Sequence, residues 1–225
     1  WSQEVAPHEL RERWGWELAR LRFETCRLAA DAALERLKDH VARVREDAHR
    51  SPAAVADSLA LLAWHEERMD LGDAALVHLD QALKLTEEAG DSESLSRARL
   101  LQSFARIAES LHRYDLALGA YREAVGDIKT HLGLRHRDLV PLYLGLGRLN
   151  AMEGDPLAAE SALLQALAIV DEDEGQVPLA EQSQVMVDLA EQIRLDGRIA
   201  ESLELWKRVE GLYLAREELL PTIWL

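Results

Sequence analysis

"EGDPLAAESALLQAL", residues 153–167, has two earlier counterparts at a fixed distance, "HRYDLALGAYREAV" at 112–125 and "DLGDAALVHLDQAL" at 70–83. In each, a breaker rich in Asp, Gly or Pro leads into an apolar run with a small residue, a large one four positions on, and a small one three further. Those positions are Ala75, Leu79 and Ala82, then Ala117, Tyr121 and Ala124, then Ala159, Leu163 and Ala166, each set 42 residues after the last. A fourth set, Ser202, Trp206 and Val209, follows after 43 residues, and a weaker one, Ala33, Leu37 and His40, precedes by 42. Positions i, i+4 and i+7 share one face of a helix. A small residue there lets a second helix approach closely, and the large one fills the space beside it.

Thirteen residues before each anchor stands a second large residue: Leu62, Phe104, Leu146 and Leu189. It is followed directly by Ala63, Ala105, Gly147 and Ala190, and preceded three positions earlier by Leu59, Leu101, Tyr143 and Met186. This second buried stripe predicts a first helix for every unit. "DLGD", "HRYD", "EGDP" and "LDGR" then end that helix and start the next. One helical hairpin cannot bury its apolar face, whereas stacked hairpins can. The expected fold is therefore all-α, an α-solenoid of about five hairpins.

The expected organisation is a tail over 1–8, then a degenerate first hairpin or one long capping helix over 9–50. Four hairpins follow at 53–90, 94–130, 137–171 and 178–220. Pro221 stands 43 residues after Pro178, so 221–225 reads either as the start of a further helix or as a capping tail.

The chain has 225 residues and a net charge of −15. That acidity argues against a nucleic-acid partner, which needs Lys and Arg on one face. No apolar run is long enough to span a membrane. Cys26 is the single cysteine, so neither an internal disulfide nor a thiolate metal cluster is expected, and it reads as a small core residue. No catalytic or phosphate-loop motif occurs, so the reading is not an enzyme and implies no cofactor. His65-Glu66-Glu67 lacks the second histidine of a metal helix and reads as a solvated face. His131 and His136 fall in an inter-unit turn, and the acids at 171–174 read as a solvated linker.

The large, large-small and small-xxx-large-xx-small positions resemble the tetratricopeptide repeat (TPR), in the 42-residue form similar to kinesin light chain and its bacterial relatives. The stretch "HLGLRHRDLVPLYLGLGRLNAMEGDPLAAESALLQALAIV", residues 131–170, carries the resemblance best, with Leu132, Gly133 and His136 matching the usual opening of a unit and Arg137 standing where that family places proline. The resemblance implies a right-handed superhelix acting as a protein-binding scaffold, with first helices lining a concave groove. It places Asp57, Ala60, Trp64, Glu67 and Arg68 on that wall, followed by Arg99, Gln102, Arg106 and Glu109. Pro141, Leu144, Arg148 and Met152 come next, then Gln184, Val187, Glu191 and Arg194.

Trp64, Arg106 and Arg148 hold one register position in successive units, with Arg99 nearby. Guanidinium groups suit carboxylates and Trp supplies contact area. The candidate groove residues are thus Trp64, Arg99, Gln102, Arg106, Arg148 and Glu191, for a protein or peptide partner with acidic groups. The alternative is that these arginines pair with Glu67, Glu109 and Glu191. A carboxylate clamp of the chaperone-binding kind needs Lys and Asn where Ala60, Trp64 and Ser103 stand, which disfavours it. The rival function is a regulatory or sensor domain of a larger bacterial signalling protein. Homo-oligomer formation through the terminal segments is a further expectation. The expected compartment is the cytoplasm, with the periplasm as the alternative.

Overall fold

The structure, a computed structural model, describes residues 7–26, 28–46, 52–89, 94–172 and 176–217. Among them are ten α-helices, one 3-10 turn and no strand. The helices are α1 (Pro7–Thr25), α2 (Ala30–Glu46), α3 (Pro52–Glu67), α4 (Gly72–Ala89), α5 (Ser94–Ser110), α6 (Tyr114–Leu132), α7 (Val140–Met152), α8 (Pro156–Glu172), α9 (Leu179–Leu195) and α10 (Ile199–Glu217). The 3-10 turn, Arg137–Leu139, precedes α7. Residues expected as a tail reach helix already at Pro7, and the segment 9–50 contains two helices. Residues 221–225 lie outside the described residues.

Four helix ends share one device. The backbone takes a left-handed residue at Asp70 (φ 60°), His112 (φ 58°), Gly154 (φ 79°) and Gly197 (φ 78°). The next N–H donates back five residues, from Leu71 to the Glu66 carbonyl (2.9 Å), Arg113 to Ala108 (2.8 Å), Asp155 to Asn150 (2.9 Å) and Arg198 to Ile193 (3.1 Å). These are the six-to-one bonds that close a helix C-terminus. In "DLGD" the left-handed residue is therefore Asp70. Gly72 opens α4, where an added Cβ would lie 3.1 Å from the Leu111 side chain. Asp155 also caps α8, its Oδ1 accepting from the Ala158 N–H at 3.0 Å.

The chain forms two compact units, Trp1–Ala120 and Tyr121–Leu225, with the boundary inside α6. In the first, α3 packs along α4, α4 on α5, α2 on α3, and α1 on both α2 and α3. In the second, α7 packs along α8 and α9 along α10, α8 on α9, and α7 also on α9. The small residues of the repeat sit at these seams. Ala63, Ala75, Ala82, Ala105, Ala117, Ala124, Ala159, Ala166 and Ala190 are sealed from solvent. Leu59, Leu62, Leu79 and Leu189 are buried beside them; burying each such side chain contributes about 1.5–3 kcal/mol.

Two positions depart from the expected pattern. Phe104 is half-buried. Trp206 is 39% exposed, where its register equivalents Leu79, Tyr121 and Leu163 are buried. Trp206 lies on α10, the last helix among the described residues, and no later described helix covers that flank.

Candidate functional site

In the first unit the exposed wall of α3 carries Trp64, 41% exposed, one turn from Arg68. The Arg68 guanidinium lies over the indole at 4.7 Å from the ring centroid, a cation–π arrangement that holds both side chains against the helix. On α5, the Arg106 Nη2 donates to Glu67 Oε2 of α3 at 2.7 Å, and Nη1 engages the other carboxylate oxygen. The pairing read as the alternative for these arginines is thus present at Arg106, in the two-pronged geometry that suits guanidinium and carboxylate. Arg99 is exposed and Gln102 half-buried on the same helix.

In the second unit, Arg148 is exposed on α7. Its charge favours the ionised form of Asp188 on α9, but burial of that carboxyl is the larger influence and pushes its pKa up. Asp188 Oδ1 accepts from the Gln184 side-chain amide, while its Oδ2 is buried without a hydrogen-bond partner. Glu191 pairs with Arg194 at 2.8 Å, one turn along the same helix. Leu144, expected on the open wall, is buried, because α7 is enclosed on more than one side. Asp188 was missed in the sequence because it falls between the wall positions.

The largest surprises lie in and around α3. His65 and Glu66, expected on a solvated face, are 8% and 2% exposed. Glu66 faces α4, where its Oε2 meets His78 Nδ1 at 2.7 Å. Burial holds the His65 imidazole below its usual pKa, with the Arg68 charge adding in the same direction. Its Nε2 is buried and unpartnered. Cys26, expected as a core residue, is exposed, its thiol donating to the Arg22 carbonyl at 3.1 Å. Cys26 and His65 line one cleft of about 360 Å³ together with Arg22 of α1, Ala60 and Trp64 of α3, and Ser103 of α5. The repeat register places Ala60, Trp64 and Ser103, but it does not reach Arg22 or Cys26, because α1 departs from the repeat pattern.

The turn histidines have structural tasks. His136 Nδ1 accepts from the Asp138 N–H at 3.2 Å, capping the 3-10 turn, and His131 Nδ1 meets the Asp127 carbonyl at 2.8 Å. Among the described residues, no group of three or more His, Cys, Asp or Glu gathers as a metal site. Among the same residues no helix is long and apolar enough to cross a membrane.

No family model matches the sequence, and no curated protein matches it. Solved structures do. The chain is similar to BtubC (BKLC) from P. vanneervenii, at 23% identity and a TM-score of 0.84, over 94% of this chain and 88% of that one. It is similar to a putative kinesin light chain from Podospora anserina with nearly identical TPR-like repeats, at 20% identity and a TM-score of 0.72, over 95% and 99%. PilF of Pseudomonas aeruginosa matches at 17% identity and a TM-score of 0.62, over 91% and 77%. At these identities the likeness is one of fold, and that fold is the TPR-like α-solenoid.

Proposed function

We propose that the chain is a protein-interaction module whose first helices present a wall to a segment of another protein. The observation that carries the reading is Trp64, a large aromatic left 41% exposed on α3 among arginines. Exposed Trp and Arg are the residue types that concentrate binding energy at interfaces. The residues proposed to meet a partner are Trp64, Arg99, Gln102 and Arg106 on the first unit and, taken by themselves, Arg148 and Glu191 on the second. Acidic groups on the partner meet guanidinium there, Arg106 exchanging Glu67 for the partner's carboxylate. The likeness to TPR-like structures supports a scaffold role rather than catalysis.

Crosslinking and mass spectrometry in the source cell identify the partner, and Trp64→Ala and Arg106→Glu with Arg148→Glu then test the wall. Both variants change exposed side chains, so the fold is retained. Partner recovery falls at least tenfold if the reading holds, and undiminished recovery by both variants removes it.

The second reading is a sensor domain of a larger signalling protein. It is favoured by the cleft beside Trp64, which is lined by residues of α1, α3 and α5 together with Cys26.

A further inference from the structure

The cleft bounded by α1, α3 and α5 has a composition that the peptide wall does not require. It holds about 360 Å³, within the range of about 300–1,000 Å³ typical of small-molecule sites. Ala60 and Trp64 give it an apolar side, Ser103 a hydroxyl, and Arg22 its single formal charge. No carboxylate lines it, although 41 residues of the chain are Asp or Glu. An acid-free, Arg-bearing recess in so acidic a protein selects for anions.

His65 adds an independent demand. The residue is 8% exposed and lines the cleft, and its Nε2 is buried with no hydrogen-bond partner. Buried polar groups left unpaired cost stability.

We propose that this cleft binds a small planar aromatic anion. The ring lies against Trp64 and Ala60, and the carboxylate meets the Arg22 guanidinium. Indole supplies the apolar face, and guanidinium matches a carboxylate in two-pronged geometry. The site shares Trp64 with the peptide wall but uses neither Arg106 nor Arg148, so it stands without that reading.

Cys26 makes the proposal measurable. It is the only cysteine in the chain, it is exposed, and it lines the cleft. The probe is 2-naphthoate on the full chain, and the readout is the rate of Cys26 alkylation by iodoacetamide. A saturable slowing of about tenfold is expected. The cationic analogue 2-naphthylmethylamine leaves the rate unchanged. Arg22→Gln, at an exposed side chain, weakens the naphthoate effect about tenfold, in line with loss of one charge-assisted contact. Trp64→Ala abolishes it.

Three results overturn the proposal: no saturable protection, equal protection by the cation, or protection unaltered in Arg22→Gln. Protection by an acidic peptide with none from naphthoate also overturns it, while leaving the peptide wall intact. Protection by naphthoate with partner recovery undiminished both in Trp64→Ala and in the Arg106 and Arg148 double variant supports the cleft and removes the wall.

Discussion

Replacing Gly145 with Ala tests the packing register at one atom. Gly145 lies inside α7, buried, and a Cβ there would sit 2.4, 2.6 and 2.8 Å from three atoms of the Tyr121 ring. Tyr121 is 3% exposed, so its ring has little room to withdraw. Two effects oppose each other. Ala is preferred over Gly in a helix interior by about 1 kcal/mol, whereas forcing an extra carbon into a filled core costs about 1–3 kcal/mol. Packing wins, and Gly145→Ala destabilises by about 1 kcal/mol. In a Tyr121→Leu background the three obstructing ring atoms are gone, and Leu is the residue used at the equivalent positions 79 and 163. There the same substitution stabilises, because only helix preference remains. Gly126→Ala is the reference, since nothing lies within 4 Å of an added Cβ, and it stabilises by about 1 kcal/mol. Urea unfolding followed by far-UV circular dichroism gives the parent chain and all four variants on one scale. The reasoning is refuted if Gly145→Ala stabilises as much as Gly126→Ala, or if its cost persists when Tyr121 is Leu.

Asp70→Gly relieves a left-handed residue other than glycine on an exposed turn and raises stability by about 0.5–1 kcal/mol in the same unfolding assay. His78→Ala strips the buried Glu66 carboxylate of its 2.7 Å partner and lowers stability by about 1–3 kcal/mol. Acid weakens the first unit through His40, which is buried against Ser58 and Trp14, with Glu17 and Arg43 the charged groups facing it. Burial, the largest influence, holds its pKa down in the folded state, so the unfolded chain takes the proton first. Its contribution is complete above the ordinary histidine pKa of about 6.5 and is lost as pH falls through the lower folded value. Unfolding midpoints measured as a function of pH show a drop below neutrality that His40→Gln flattens. Glu67→Gln releases Arg106 from its bidentate partner and tightens binding of an acidic peptide by about two- to fivefold, read by fluorescence anisotropy.

The seams were legible because they obey short-range arithmetic. A small residue repeated every 42 positions, with a large one four further on, has one economical explanation, and Ala75, Ala117 and Ala159 are all sealed from solvent. What failed depends on neighbours that no single helix encodes. The His65-Glu66 pair reads as polar, yet α3 is covered by α1 and α2 as well as α4, so its buried sector is too wide for a two-sided helix. Leu144 is enclosed for the same reason on α7, which meets both α8 and α9. Cys26 is exposed because it stands in the turn just past the end of α1, beyond the helix's last buried residue, Thr25. The repeat pattern puts its small residue at Gly147, whereas the tighter approach is two positions earlier, at Gly145.

The Arg106–Glu67 pair changes what the candidate wall can do energetically. An acidic partner does not find a bare guanidinium there; it must displace a carboxylate that already holds both prongs. The exchange replaces one exposed ion pair by another, and such pairs contribute about 0–1 kcal/mol each. On the proposed wall, charge at Arg106 would therefore select a partner and set its orientation without supplying much affinity. The area must come from Trp64, the only large apolar side chain left open on α3 among the described residues. Trp64 is already stacked beneath Arg68 and stands at the mouth of the α1–α3–α5 cleft. A ligand in the cleft and a peptide on the wall therefore draw on the same indole, and occupancy of one changes the surface offered to the other. Under the two proposals, a scaffold and a sensor would be two uses of one tryptophan rather than rival architectures.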